Sequence, residues 1–177
     1  MIRQRPVAQL NEARIIMINT QKGVGLVEVM VALIILSIAV LGFVALQIRA
    51  VAASNEAGMN IQATNIARDL AERMRVNRAG LADYTDNTAT DDCSVNFCDA
   101  SKMAKYDFRQ VKTQANDLGM SMNVLNCQGS TLVRKCIYVA WQGTTAMDGT
   151  TSTACTNGTA YTPNAKCIIM EVYNYGS

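Results

Sequence analysis

Between Val29 and Leu46 the chain runs for 18 residues whose only polar side chain is Ser37. No stretch constrains the fold more. At about 1.5 Å of rise per residue, a helix over Val24–Leu46 spans roughly the 30 Å hydrocarbon layer of a bilayer. Lys22 stands just before the run, which predicts that the short N-terminal side stays in the cytoplasm. Glu28 breaks the reading as a plain anchor, because a carboxylate inside an apolar span is costly and marks a functional position.

Immediately upstream the chain reads Gln21-Lys22-Gly23-Val24-Gly25-Leu26-Val27-Glu28. Lys-Gly, an apolar residue, Glu five residues past the Gly and then an unbroken apolar helix together resemble the type IV prepilins. In that family a membrane peptidase cuts after the Gly, the new N-terminus is methylated, and the subunits assemble through their apolar helices. The resemblance implies a cut between Gly23 and Val24, methylation of Val24, and a role in assembly for Glu28. Two positions depart from the family's habit: Val24 stands where Phe or Met is usual, and Gly25 where Thr is usual. The motif covers about 25 residues of 177.

The segment before the cut is charged, weakly apolar at Ile15–Ile18, then polar again. A secretory signal carries its apolar core before the cut; here the core lies after it and stays with the mature chain. Met17 offers a second start, leaving the seven-residue polar leader Met17–Gly23, with Met1–Ile16 as an upstream extension.

Charge is divided unevenly. Residues 1–23 carry four Lys/Arg against one Glu, net +3, whereas residues 24–177 carry twelve against thirteen Asp/Glu, net −1. The basic character belongs to the leader, and the nearly neutral body gives no general argument for nucleic acid. The chain has no His, which excludes His-based triads, His metal sites and His acid–base chemistry. Its carboxylates are scattered without a paired motif and read as solvated surface groups. No catalytic residue, metal or cofactor is expected, and the chain does not read as an enzyme.

Past Leu46 the helical pattern continues. Gln47–Asn77 contains no Pro, and Met59, Ala63, Ile66, Leu70 and Met74 recur at steps of three or four, a narrow apolar stripe. Arg68, Asp69, Glu72, Arg73 and Arg75 lie mostly off it. One helix from about Val24 to about Asn77 follows, apolar all round in its first half and amphipathic in its second, so the second half requires a domain to lie against. Arg78–Asn96 is polar and Asp-rich and reads as an irregular loop. Asp99 is placed to cap a helix through about Leu118, with Gly119 as its stop. Its apolar face is Ala104, Phe108, Val111, Ala115 and Leu118. Beside it Lys102, Lys105, Arg109 and Lys112 form a basic stripe; DNA phosphates or an acidic partner are one reading, and a plain solvated face is the favoured one.

The rest reads as strands. Ser121–Cys127, Leu132–Gln142 and Lys166–Tyr173 are rich in Val, Ile and Tyr, with Gln128-Gly129-Ser130 as a turn. Gly143–Asn164, rich in Thr, Gly and Ala, reads as a long, poorly packed connection. Three or four antiparallel strands against the amphipathic half of the long helix bury both faces. Tyr138 and Trp141 are expected to be structural. The fold class is therefore α+β, with a leader over 1–23, an apolar helix over 24–46, its amphipathic continuation over 47–77 and a globular domain over 78–177.

All six cysteines, Cys93, Cys98, Cys127, Cys136, Cys155 and Cys167, lie beyond the span. Outside the cytoplasm they are expected to be oxidised. Of the fifteen pairings open to six cysteines, the sequential set is favoured: Cys93–Cys98 closes a small loop, Cys127–Cys136 crosses a hairpin, and Cys155–Cys167 ties the long connection to the last strand. A zinc site competes poorly, because no Cys-x-x-Cys pair is present.

Within the resembled family the chain is most similar to minor pilins of the pilus-modification kind, PilV, through Glu28-Val29-Met30-Val31-Ala32-Leu33, the run through Gly42, and Tyr138-Val139-Ala140-Trp141. The resemblance implies a structural subunit that helps start pilus assembly and so serves adhesion or twitching motility. Its expected partners are the prepilin peptidase, other minor pilins, the major pilin and, before assembly, the inner membrane. Such a subunit crosses that membrane once, with a periplasmic body, and later reaches the surface pilus. A pseudopilin of type II secretion shares the opening, but its minor members have smaller bodies with fewer cysteines than the 154 residues after Gly23. A membrane-anchored periplasmic protein unrelated to filaments leaves Glu28 without a role.

Overall fold

The computed structural model describes Gly23 and residues 25–85, 90–129 and 134–172. The leader with Met17 and Lys22, Val24 at the expected cut, Ser130–Val133 and Tyr173 lie outside these residues.

A single helix, α1, runs over Leu26–Val76. The chain divides into two units within it, 1–47 and 48–177. In the first, every described residue is exposed. In the second, Ala63, Ile66, Ala67, Leu70, Ala71 and Met74 turn inward and are buried. Ala67 and Ala71 widen the stripe expected from the sequence, and three alanines on this face let neighbouring elements approach closely.

The second unit is built in layers. Arg78–Asp83 forms a 3-10 helix where an irregular loop was expected, because tight i→i+3 turns extend a helix end easily. Gly80 makes this packing feasible: a Cβ there would fall 2.2 Å from the Ala100 carbonyl oxygen. Asn77 Nδ2 donates to that oxygen at 2.8 Å. Helix α2 follows over Ala100–Asp117. Its start is fixed by Asp99, whose carboxylate accepts from the Lys102 N–H at 2.8 Å. Its end is fixed by Gly119, at φ +71°, with Met120 N–H returning to the Ala115 carbonyl at 2.9 Å.

Three antiparallel strands, β1 (Ser121–Asn126), β2 (Lys135–Ala140) and β6 (Cys167–Val172), pair in the order β1-β2-β6. Ser121 lies opposite Ala140, and Ala140 opposite Cys167. On one face Met122, Val124, Ile137, Val139 and Val172, with Trp141 just past β2, join residues of α1 and α2 such as Leu70 and Phe108 in the main core. On the other, Cys136, Tyr138 and Ala140 pack with Ala146 and Cys155 in a second cluster. Strand β2 is thus covered on both faces, which accounts for its continuous apolar run Cys136–Ala140.

The second cluster corrects the expectation for Gly143–Asn164. This stretch folds as a small sheet of β3 (Thr145–Asp148), β4 (Ala154–Asn157) and β5 (Ala160–Tyr161). Strands β3 and β4 run parallel, and β4 and β5 antiparallel. Thr and small residues suit it, because Ala146, Ala154 and Cys155 present little bulk to the outer face of β2. Asp148 stitches the sheet together: one carboxylate oxygen accepts from Thr156 Oγ1 and from the Gly158 N–H, both at 2.8 Å.

Three disulfides pair the six cysteines in chain order, first with second, third with fourth and fifth with sixth. Cys93–Cys98 closes the loop before α2, Cys127–Cys136 links the end of β1 to β2, and Cys155–Cys167 links β4 to β6. Loop-closure arguments assign each about 2–3 kcal/mol, with the shortest loop at the low end.

Candidate functional site

The N-terminal segment is built around the first turn of α1. Gly23 and Gly25 are non-helical, and the Gly25 carbonyl accepts from the Glu28 N–H at 2.9 Å and the Val29 N–H at 3.3 Å. Gly25 therefore stands at the helix cap, where Gly is tolerated. Glu28 falls in the first turn, close to the unpaired N–H groups and the positive end of the helix dipole. That position offsets part of the cost of a carboxylate beside apolar neighbours. Among the described residues no cation pairs with it.

From Val29 to Ile48 no charged residue interrupts the helix, and Arg49 is the first charge beyond it. The Ser37 hydroxyl donates to the Leu33 carbonyl at 2.7 Å, so the one hydroxyl in the run is satisfied within the helix. Leu33, Ile34, Ile35 and Leu36, which successive steps of about 100° place on four sides of the axis, are all exposed. This helix is long and apolar enough to cross a membrane. An apolar surface on all sides of one helix is stable only in lipid or among other apolar helices.

The body holds its end of α1 with polar contacts as well as packing. Lys166 Nζ lies 2.8 Å from Glu56 Oε1. Deeper in, Arg73 bridges two carboxylates: its Nε donates to Asp69 at 3.0 Å and its Nη1 to Asp107 of α2 at 2.8 Å. Asp107 is 8% exposed. It also accepts from the Tyr84 hydroxyl at 3.3 Å, so one carboxylate joins α1, the 3-10 segment and α2. The bond to Asp69 raises the guanidinium pKa, burial opposes that, and Asp107 adds to it. Burial pushes the Tyr84 hydroxyl up to about 12, with the Asp107 charge adding to the effect. The sequence signal for this junction is Asp107 itself, three residues past Ala104 and four before Val111 on the apolar face of α2. A lone carboxylate there requires a buried partner.

The basic stripe does not stand as a free solvated face. Lys102 Nζ lies 3.4 Å from Asp91, Arg109 donates to the Asp91 backbone carbonyl at 2.6 Å, and Lys112 lies 5.4 Å from the Phe108 ring centre. Lys102 and Arg109 thereby hold the segment before α2 against the helix. That segment is itself ordered by Asp92, whose carboxylate accepts from the Ser94 hydroxyl and N–H; the Ser94 hydroxyl bond lowers the Asp92 pKa most. Tyr138 and Trp141 are buried in the two clusters, and Tyr138 also borders a hollow beside Arg134, Tyr161 and Glu171. Among the described residues no group of three or more His, Cys, Asp or Glu is arranged to hold a metal.

Of the residues singled out from the sequence, Gly23 and Glu28 sit together at the start of α1; Cys127, Cys136, Cys155 and Cys167 gather at the second cluster of the body, and Cys93 and Cys98 close the loop before α2. Two family models match the chain. The prokaryotic N-terminal methylation motif covers residues 18–44, and the model described as type IV pilin Tt1218 covers residues 45–109. No curated protein and no solved structure matches.

Proposed function

We propose that this chain, a pilin-type structural subunit by its two family matches, is a minor pilin of the pilus-modification kind that helps to start assembly of a type IV pilus. The pilin family is structural, not enzymatic, and a prepilin motif implies processing by a prepilin peptidase and assembly with other pilins. On this reading the peptidase cuts between Gly23 and Val24, Val24 is methylated, and residues 24–46 anchor the subunit across the inner membrane once. The body waits in the periplasm and later stands on the surface pilus, where it serves adhesion or twitching motility. Residues 47–77 and 78–177 form that body.

One observation carries the reading: the first half of α1 is exposed and apolar on every side, its single carboxylate Glu28 lies in the first turn, and the helix continues into a disulfide-stapled body. In the membrane Glu28 reaches the cytoplasmic interface. Among packed helices that route to water closes, and the carboxylate requires a cation. Cleavage creates one, because each mature Val24 carries an ammonium group four residues before its own Glu28. Pairing Glu28 with the amine of a neighbouring subunit fixes the axial register of docking. Leaving it unpaired costs several kcal/mol of uncompensated desolvation.

The test is made in the native host. Mass spectrometry of sheared pili is expected to find an N-terminus at methylated Val24, and deletion of the gene is expected to reduce pilus number. Retention of residues 1–23 in surface filaments, or normal pilus numbers in the deletion strain, overturns the reading. Glu28→Ala separates the two roles of that residue: cleavage is expected to persist while incorporation falls, and normal incorporation would remove the pairing argument.

A further inference from the structure

The small sheet carries a concavity that the assembly role does not use. Its volume is about 500 Å³, and it lies between the β3–β4 loop and the β4–β5 hairpin. The loop contributes Thr150, Thr151 and Ser152; the hairpin side contributes Asn157 and Tyr161. Every polar group among these is an uncharged hydroxyl or amide, and no Lys, Arg, Asp or Glu lines the space. An anionic or cationic ligand finds no counter-charge here. A neutral ligand with many hydroxyls finds donors and acceptors on two sides.

The aromatic ring supplies the remaining requirement. Tyr161 is 56% exposed and closes strand β5 against β4, where it lies opposite Thr156. Its ring presents open surface as a platform for the C–H face of a pyranose. The frame beneath it is rigid. Asp148 ties β3 to Thr156 and Gly158, the Thr162 N–H donates to the Cys155 carbonyl at 3.0 Å, and Cys155 is bonded to Cys167.

We infer that this concavity is a binding site for a neutral saccharide, stacked on Tyr161 and hydrogen-bonded by Asn157 and the hydroxyls of the β3–β4 loop. Preorganisation by the disulfide and by Asp148 keeps the ordering cost of binding low. The site lies within the body and does not depend on assembly. Failure of the filament reading leaves it standing, and its own failure leaves the filament reading untouched.

The experiment uses the full chain in detergent and saturation-transfer NMR with titration. The probes are triacetylchitotriose, maltotriose and the anionic trigalacturonate. Saturable binding of at least one neutral probe is expected, with trigalacturonate at least tenfold weaker. Preference for the acetylated probe assigns an amino-sugar glycan such as the cell wall carries; preference for maltotriose assigns an unacetylated surface glycan. Tyr161→Ala is expected to weaken binding tenfold or more, and Tyr161→Phe, which keeps the platform, only a few-fold. Should Tyr161→Ala not fold, Asn157→Ala, altering an exposed side chain, is expected to weaken binding at least fivefold. No binding of either neutral probe at millimolar concentration, equal binding of trigalacturonate, or undiminished binding by the folded variants overturns the assignment.

Discussion

Asp107→Ala tests the junction that joins the amphipathic end of α1 to the body. The carboxylate is 8% exposed and accepts from Arg73 at 2.8 Å and from the fully buried Tyr84 hydroxyl at 3.3 Å. Its removal does not strand a buried cation. The Arg73 side chain is 34% exposed and keeps Asp69, so the 3–5 kcal/mol of a broken buried pair is not reached. Two costs remain: the lost charge-assisted bonds, and a Tyr84 O–H left without an acceptor in a site closed to water, about 1–3 kcal/mol. Together these give about 2–3 kcal/mol, or a Tm lowered by roughly 6–15 °C for a body of this size. Thermal unfolding of the full chain in detergent, followed by near-ultraviolet circular dichroism with the disulfides intact, reads the change. Asp69→Ala is the control. Its carboxylate is 38% exposed, and it should cost under about 1 kcal/mol. A shift for Asp107→Ala no larger than that of Asp69→Ala would refute the reasoning, since it would mean that Tyr84 and Arg73 lose nothing specific.

The same site gives a pH dependence. Tyr84 has a folded pKa of about 12 against about 10 unfolded, so between those values the unfolded state binds fewer protons. Stability from this group is complete below pH about 10 and is lost toward pH about 12; Tyr84→Phe should show a flatter decline over that window, and an unchanged slope counts against it. Gly80→Ala drives a Cβ to 2.2 Å from the Ala100 oxygen and should destabilise by about 1–3 kcal/mol, measured as a drop in denaturant midpoint. Cysteine-to-serine replacement of the Cys155–Cys167 pair, 12 residues apart, should cost about 3 kcal/mol, and of Cys93–Cys98, 5 apart, about 2 kcal/mol. The reverse order in denaturant midpoints would show that the chain-entropy argument does not govern these bonds.

What the sequence discloses here follows from how local each determinant is. The amphipathic half of α1 is legible because Ala63, Ile66, Leu70 and Met74 repeat at the helical period, and α2 because Asp99 and Gly119 mark its ends within a few residues. Strands β2 and β6 show through as runs of Val, Ile and Tyr, and β1 through the alternation of buried Met122 and Val124 with less buried neighbours. The small sheet does not, since strands of four, four and two residues are too short to display a period. Its order comes instead from Asp148 reaching Thr156 and from packing against β2, contacts that exist only once the chain has folded. The Arg73–Asp107–Tyr84 junction is hidden for the same reason, with partners 34 and 23 residues apart. The saccharide site lies in that same illegible stretch. The Glu28 region, by contrast, is legible almost entirely, because cap, carboxylate and apolar run are consecutive in the chain.

The two-sided burial of β2 has a consequence for how the sheet finds its alignment. A strand with one solvated face is held in register by hydrophobicity, since a slip of one residue turns its apolar set outward. Cys136 through Ala140 are all buried, so a slipped β2 would still bury an apolar run on both faces. Alignment must then come from groups that recognise one another individually. Arg134 meets Glu171 across the sheet, and Cys136 reaches Cys127 only when it stands opposite Leu125. Oxidation of that pair acts as an error check on strand alignment, and a chain folded under reducing conditions should populate misaligned isomers that oxidation afterwards removes.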